Sequence, residues 1–383
     1  MTQPPLAPTV EPIAPRPPDP AAARPALASA AGPSDAPSDA PAPAAAPEQD
    51  TLREAWRRFG AFDAASGAHQ TWFLRLRSAI LIIGIVVTAA GLTSMTAGAP
   101  ASGPDAAPGE LASATRWVTL VASLALTGLF SFAWRFDRGG GWVLSRRSAE
   151  LILREIFLYR TGCGPYRAAG RVAAKARPIL AARIFALNRE ARPEFGPSSS
   201  GPFEPRVVRA ADGRPLELAG GAVDDGMCAL TADDYVRMRL SGQQTWYRDK
   251  AVRLRASLRN YYIAGILAGL AGAALTFAAG AWIAWVAVTT AIAAAVTSWL
   301  ELRRLEPTAI AYERAASGLG DLAMWWHALP EDDRRAESNV EQLVTVCEAV
   351  IESENASWTQ DMRKRVGELR EEAQQRAASG KPT

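Results

Sequence analysis

"TFAAGAWIAW", residues 276–285, lies in the middle of a run from Tyr261 to Leu300 that contains no Asp, Glu, Lys, Arg or His. As one straight helix, a run of about 40 residues would be about 60 Å long, whereas the hydrocarbon core of a bilayer is about 30 Å thick and takes roughly 20 residues. One crossing cannot use it all. Two crossings can, provided the chain turns near the centre. Gly280 permits the turn, and Trp282 and Trp285 just beyond it favour the membrane-water boundary. The stretch therefore predicts a hairpin with spans at about 261–279 and 281–300.

A second hairpin is expected upstream. An apolar segment at about 78–98 ("SAILIIGIVVTAAGLTSMTAG") is followed by the Pro/Gly-rich "APASGPDAAPGELASATR" and by another apolar segment at about 117–134. Lys and Arg flank the outer ends of the spans: Arg75 and Arg77, Arg135 and Arg138, Lys250 through Arg259, and Arg303 with Arg304. The tips hold only Arg116, Asp105 and Glu110. This bias predicts that both termini and the middle segment face the cytoplasm.

The first fifty or so residues are dense in Pro and Ala and contain no aromatic residue. Such a segment cannot bury enough apolar surface to offset its ordering entropy, so residues 1–52 are expected to be a disordered tail, either solubilising or a proline-rich ligand. The net charge is +3, and the three cysteines (Cys163, Cys228, Cys347), far apart and without metal-ligand spacing, argue against a disulfide framework or a zinc site. Two histidines, His69 and His327, leave little for metal or triad chemistry.

The middle segment reads as helix, loop, helix. "SRRSAELILREIFLY" places Ala149, Leu151 or Ile152, Ile156 and Tyr159 on one face and Arg146, Glu150 and Arg154 opposite, an amphipathic pattern. Arg167, Arg171 and Lys175 then recur every four residues until Pro178, a basic face that fits either anionic headgroups or solvent. Residues 191–230 read as a Gly/Pro-rich linker with two short strands. Thr231 and Asp234 resemble a capping box, Asp replacing the usual Glu, opening a helix that can run straight into the third span. Near the C-terminus Leu343, Cys347, Val350, Ile351 and Trp358 share a helical face. Glu354 falls on it too, paired with an Arg of a preceding helix or placed at the stripe's edge.

No catalytic constellation emerges: P-loop, nucleophile-elbow and zincin patterns are all missing, and no catalytic, cofactor or metal residue is assigned. The chain is not expected to be an enzyme or to bind nucleic acid. The spans carry no charge, which disfavours proton relays and ion-coupled carriers. They do carry hydroxyls. Thr119, Ser123, Thr127 and Ser131 recur every four positions, a stripe that fits either a narrow aqueous path in an oligomer or hydroxyls bonded to their own helix. Gly265 and Gly269 form a GxxxG-type face, suited either to packing within the hairpin or to oligomerisation.

"YVRMRLSGQQTWYRDKA" (residues 235–251), the hairpin after it, "AYERAASGLG" (311–320) and "CEAVIESENASW" (347–358) resemble the SLATT superfamily of two-span membrane domains, named for association with SMODS nucleotide cyclases and SLOG sensors. "GWVLSRRSAELILREIFLYRTGCGPY" (141–166) resembles another branch of it, catalogued as a domain of unknown function. The matching positions are Trp142, Arg147, Glu150, Glu155 and Tyr159 in the first half, and Tyr235, Trp246, Tyr247, Lys250, Tyr312, Glu348, Glu354 and Trp358 in the second. The resemblance implies a bacterial effector that forms pores or perturbs the membrane once a nucleotide signal or a sensor encoded nearby activates it. The expectation is thus an all-α inner-membrane protein with the bilayer and copies of itself as partners. It comprises the tail, a first two-span domain (53–190), the linker, a second two-span domain (231–365) and a polar tail (366–383), with cytoplasmic amphipathic helices flanking the spans. A non-conducting scaffold that recruits a partner is the alternative.

Overall fold

The computed structural model describes residues 47–97, 110–135, 139–170, 172–191, 217–218, 221, 223–278 and 280–378. Most of the expected N-terminal tail, the tip of the upstream hairpin and most of the expected linker lie outside them, as does Arg171. The helices are α1 (Pro47–Ala97), α2 (Glu110–Arg135), α3 (Gly139–Thr161), α4 (Ala173–Glu190), α5 (Ala232–Tyr235), α6 (Ser241–Thr276), α7 (Val286–Arg303), α8 (Leu305–Ala328), α9 (Glu331–Arg335) and α10 (Glu337–Ala378). Among the described residues, the only β-pairing is an isolated antiparallel bridge between Glu217 and Val223.

The stretch at 276–285 is the tip of a hairpin. α6 ends at Thr276, and the N–H groups of Phe277 and Ala278 fold back to the carbonyls of Ala274 and Leu275 at 3.2 and 3.1 Å. A 3-10 turn over Gly280–Trp285 leads into α7. The arms run antiparallel: the Trp299 indole Nε1 donates to the Tyr261 hydroxyl at 2.9 Å, a Cβ at Gly265 would stand 3.9 Å from Val296 Cγ1, and one at Gly272 would stand 2.7 Å from Thr289 Oγ1. Of the glycines on this arm, Gly272 is the one that Thr289 crowds most, a position that the reading of Gly265 and Gly269 as one face did not include. Gly269 is exposed, and nothing stands within 4 Å of its notional Cβ.

Three helical stretches, Asp50–Thr96, Ser113–Ala133 and Trp282–Ala328, contain a run long and apolar enough to cross a membrane, and their apolar windows are almost entirely uncovered. With this composition the chain is a helical membrane protein. The span expected at about 261–279 is not among these three stretches. Its helical part, from Tyr261 to Thr276, is about 24 Å long at 1.5 Å per residue.

The chain forms two compact units, each drawing on both halves of the sequence. The first takes its described residues from within 1–68, 142–245 and 315–359, and the second from within 69–141, 246–314 and 360–383. In the second unit the two hairpins leave large apolar side chains such as Trp117, Leu124, Ile266 and Leu270 exposed. Trp72 of α1 stands against Phe132 of α2, ring centroids 5.7 Å apart.

The first unit is built differently. α1 begins at Pro47, inside the segment expected as tail, and buries Leu52, Ala55, Trp56, Phe59 and Phe62 at helical spacing. α3 buries Ala149, Ile152 and Ile156 as its pattern predicts. It also buries Arg146 and Glu155, so it is enclosed on most sides and not amphipathic as expected. Arg167 and Lys175 do not share one helix: Arg167 lies in a 3-10 turn over Gly164–Ala169, Gly170 takes a positive φ of 57°, and Lys175 belongs to a new helix. Pro178 sits inside α4 without ending it. The Thr231–Asp234 capping box is present in both directions. The helix it opens passes through a π turn (Val236–Leu240) directly into α6, and Gly242 does not break it. α10 continues to Ala378, well into the segment expected as a polar tail.

The hairpin contact yields a paired test. Gly272→Ala drives a Cβ against Thr289 and is expected to lower the unfolding temperature of the purified protein. Gly269→Ala meets open space and is expected to leave it unchanged or raise it, Ala being favoured over Gly in a helix by about 1 kcal/mol.

Candidate functional site

The polar residues that the first unit buries fall into clusters. Glu348 on α10 is enclosed, yet every face of its carboxylate is engaged from the start of the helix leading to α6. Arg239 in the π turn donates through Nε and Nη2 to its two oxygens at 2.9 and 3.0 Å, and the Tyr235 hydroxyl donates at 2.8 Å. The Arg239 guanidinium lies 4.7 Å from the centroid of Phe157 on α3, whose ring meets Tyr235 edge-on. Such a forked pair is directional as well as strong. Burial by itself would lower the Arg239 pKa, but the Glu348 carboxylate outweighs it and holds the guanidinium charged. Burial, with Cys347 and Glu348 beside it, pushes the Tyr235 phenol well up. π turns recur where a helix is bent to a task, and here the turn carries Arg239.

A second cluster repeats the first in chemistry. Glu155 on α3 accepts from Arg183 Nε and Nη2 at 2.6 and 2.7 Å and from the Tyr166 hydroxyl at 2.8 Å. Each follows a hairpin: Glu155 stands on the helix after the upstream one, Glu348 on the last helix after the downstream one. Burial and then the Glu155 carboxylate raise the Tyr166 pKa. A third pair, Arg160 with Asp224, is completed by Arg160 Nε donating to the Cys228 carbonyl at 2.8 Å, while Trp56 Nε1 donates to the Gly226 carbonyl at 2.9 Å. The end of the segment expected as linker is thus stitched to α3 and α1. Further ties are the Gly164 N–H to both oxygens of Glu341, at 2.9 and 3.1 Å, and Arg154 to Glu352 at 2.9 Å.

Of the positions singled out from the sequence, Trp142 and Glu354 are buried, Glu150 pairs with Arg146, and Tyr159 meets Tyr166 edge-on at 5.5 Å. Arg147 and Glu150 line a cavity of about 20 Å³ shared with Glu348 and Asn355, room for about one water. In the second unit Trp246, Tyr247 and Tyr312 form an aromatic triad with centroids 5.2–5.4 Å apart, and Lys250 lies 5.9 Å from the Trp246 ring. Trp358 is helical, but its side chain falls outside the described residues. Arg167 and Lys175 are exposed. In the hydroxyl stripe, Thr119, Thr127 and Ser131 donate to the carbonyls four residues back, at 2.8, 3.0 and 2.9 Å, the carbonyl of Ser123 receiving Thr127. Arg160, Arg183, Asp224 and Arg239 were not singled out, because their partners are 28 to 109 residues away.

Apolar hairpins joined in one chain to helices that bury charge pairs define a helical membrane protein with a folded polar unit. Residues 235–358 match the family model of the SMODS and SLOG-associating 2TM effector domain 1. Residues 58–171 match that of DUF4231, a family of unknown function. The two matches lie in tandem, a SLATT domain in the second half and a domain of unknown function in the first. No curated protein and no solved structure matches it.

Removing Arg239 alone strands a buried carboxylate, so Arg239→Met is expected to cost about 3–5 kcal/mol in denaturant unfolding, and Arg239→Met with Glu348→Met together less than the sum of the two singles. Burial pushes the Cys163 thiol from 9.0 up to about 11 and the Cys347 thiol up to about 12. The folded state keeps these protons after the unfolded state has released them, so their contribution is intact below pH 9 and is lost as pH rises through 11 to 12. Thermal melts between pH 8 and 11 should fall less steeply for Cys163→Ala than for the parent chain.

Proposed function

We propose that the chain is a membrane-embedded effector of four spans in two hairpins, with both termini and the middle segment on the cytoplasmic side of a bacterial inner membrane. It perturbs or perforates the bilayer as an oligomer when a nucleotide signal or a sensor partner encoded nearby activates it. The reading is carried by one observation: apolar helices uncovered by their own chain occur in a chain whose residues 235–358 match a two-span effector family. The short helical part of the third span is accommodated by the 3-10 turn at the tip, which lengthens the apolar path before α7. The chain does no covalent chemistry of its own and engages no nucleic acid.

In a conducting assembly the hydroxyl stripe of α2 would face the water path. A second reading is favoured by the hydrogen bonds of Thr119, Thr127 and Ser131 to their own helix, which leave those hydroxyls no need of water. In that reading the chain is a non-conducting scaffold whose polar unit recruits a partner.

Dye release from liposomes separates the two. The effector reading expects leakage that rises with protein density, and expects Ser123→Leu or Thr127→Leu to reduce it. Sealed liposomes at every density, with a cytosolic partner co-purifying, would establish the scaffold instead.

A further inference from the structure

α4 is apolar on two sides. Ala176, Leu180 and Ile184, spaced by four, are buried and hold the helix to its own unit. The opposite side is uncovered. Pro178, Ala181, Ala182 and Phe185 lie along it at helical spacing and are exposed, Phe185 by 59%. Exposed cations close the two ends of this strip, Lys175 one turn before Pro178 and Arg189 one turn after Phe185. The Arg189 guanidinium lies 5.9 Å from the centroid of the Phe185 ring.

The charge around the strip has one sign. From Gly164 to Arg189 the sequence holds Arg167, Arg171, Lys175, Arg177, Arg183 and Arg189 and no Asp or Glu. Arg183 is spent on Glu155, whereas Arg167, Lys175 and Arg189 are exposed. A single exposed Phe is ordinary on a protein surface. A Phe in a strip of Ala and Pro, with cations at both ends and no carboxylate on it, is the pattern of a helix that rests on anionic lipid.

We propose that the outer face of α4 lies on the anionic headgroups of the membrane that the chain itself crosses, with Phe185 at the acyl boundary and Lys175 and Arg189 on lipid phosphates. The alkyl stems of Lys and Arg run along the apolar layer while their charged heads reach the phosphates. The proposal rests on the reading of the chain as membrane-embedded, in which α4 is on the cytoplasmic side, where the leaflet is anionic. A protein partner fits this face less well. Interfaces between proteins are depleted in Lys and Ala and centre on large side chains seated in pockets, whereas this strip is mostly small residues. The apolar hairpins of the same chain also keep lipid at high effective concentration.

An environment-sensitive fluorophore on Ala182→Cys, in a Cys228→Ser background of the full chain, reads the contact, Cys163 and Cys347 being buried. In phosphatidylcholine liposomes containing about 30% phosphatidylglycerol its emission should move to the blue and be quenched by spin-labelled lipid, and in pure phosphatidylcholine it should stay aqueous. The difference should vanish at about 1 M salt, where charges are screened beyond about 3 Å. Lys175→Glu with Arg189→Glu should remove the shift at unchanged unfolding temperature, both side chains being exposed. The same fluorophore on Met324→Cys, exposed on α8, should stay aqueous, and a shift there as large as at Ala182 overturns the assignment to this face. Aqueous emission in both liposomes, from a chain that floats with them, overturns the lipid contact and leaves the membrane reading standing. A chain that does not float with liposomes overturns both. Blue emission in detergent without lipid, growing with protein density, overturns the proposal in favour of a second copy. A shift produced by added polyglutamate and not by phosphatidylglycerol overturns it in favour of an acidic partner.

Discussion

An uncharged run too long for one crossing has to turn back, and most of the second unit follows from that. The return is made by a helix end, a short 3-10 turn and a new helix, which keep most backbone N–H and C=O groups paired within the protein. The arms then come close at Gly272, where a side chain is missing, but not at Gly269, which faces open space. Gly272 against Thr289 and Gly265 against Val296 set the spacing, and Tyr261 with Trp299 ties the open end. Small residues, and not hydrophobic burial, bring such helices together, because lipid is as apolar as the side chains it would replace.

The first unit obeys the opposite solvent. It is held by apolar faces at helical spacing and by buried charges that can persist only as pairs. In two of them a glutamate is gripped by an arginine fork and a tyrosine hydroxyl: Glu155 with Arg183 and Tyr166, Glu348 with Arg239 and Tyr235. A buried pair adds little net stability over an apolar substitute, yet a misplaced register would leave its members stranded at a cost of several kcal/mol. The clusters therefore act chiefly to select one arrangement of helices. The π turn at Val236–Leu240 places Arg239 in the helix that runs on as α6, so the segment leading into the downstream hairpin begins in one of these clusters.

The hairpin was legible because its signals are local: an absence of charge, a glycine and tryptophans within one short stretch. The capping box at Thr231 and Asp234 was legible for the same reason. Arg146 was placed with Glu150 and Arg154 on the face opposite the apolar one, whereas the buried Arg146 side chain pairs with Glu150 and with Asp63, far upstream. The helix assumed for the basic residues is interrupted at Gly170, where a positive φ separates Arg167 from Lys175 eight residues on. Glu354 drew notice as the carboxylate in an apolar stripe, while Glu348, six residues earlier and matched by the family resemblance, holds the paired centre. The spacing of Gly265 and Gly269 suggested one face. A helix of 3.6 residues per turn turns the four-residue steps slowly, and the contact passes instead from Gly265 to Gly272.

The most direct test is a distance. Spin labels at Tyr262→Cys and Ser298→Cys, with Cys228→Ser and the full chain reconstituted in bilayers, report how far apart the two arms lie by pulsed electron paramagnetic resonance. The hairpin predicts a single short distance, on the order of two adjacent helices at about 8–10 Å between axes plus the label arms. A distribution centred near 54 Å, about 36 residues of unbroken helix at 1.5 Å each, would contradict it.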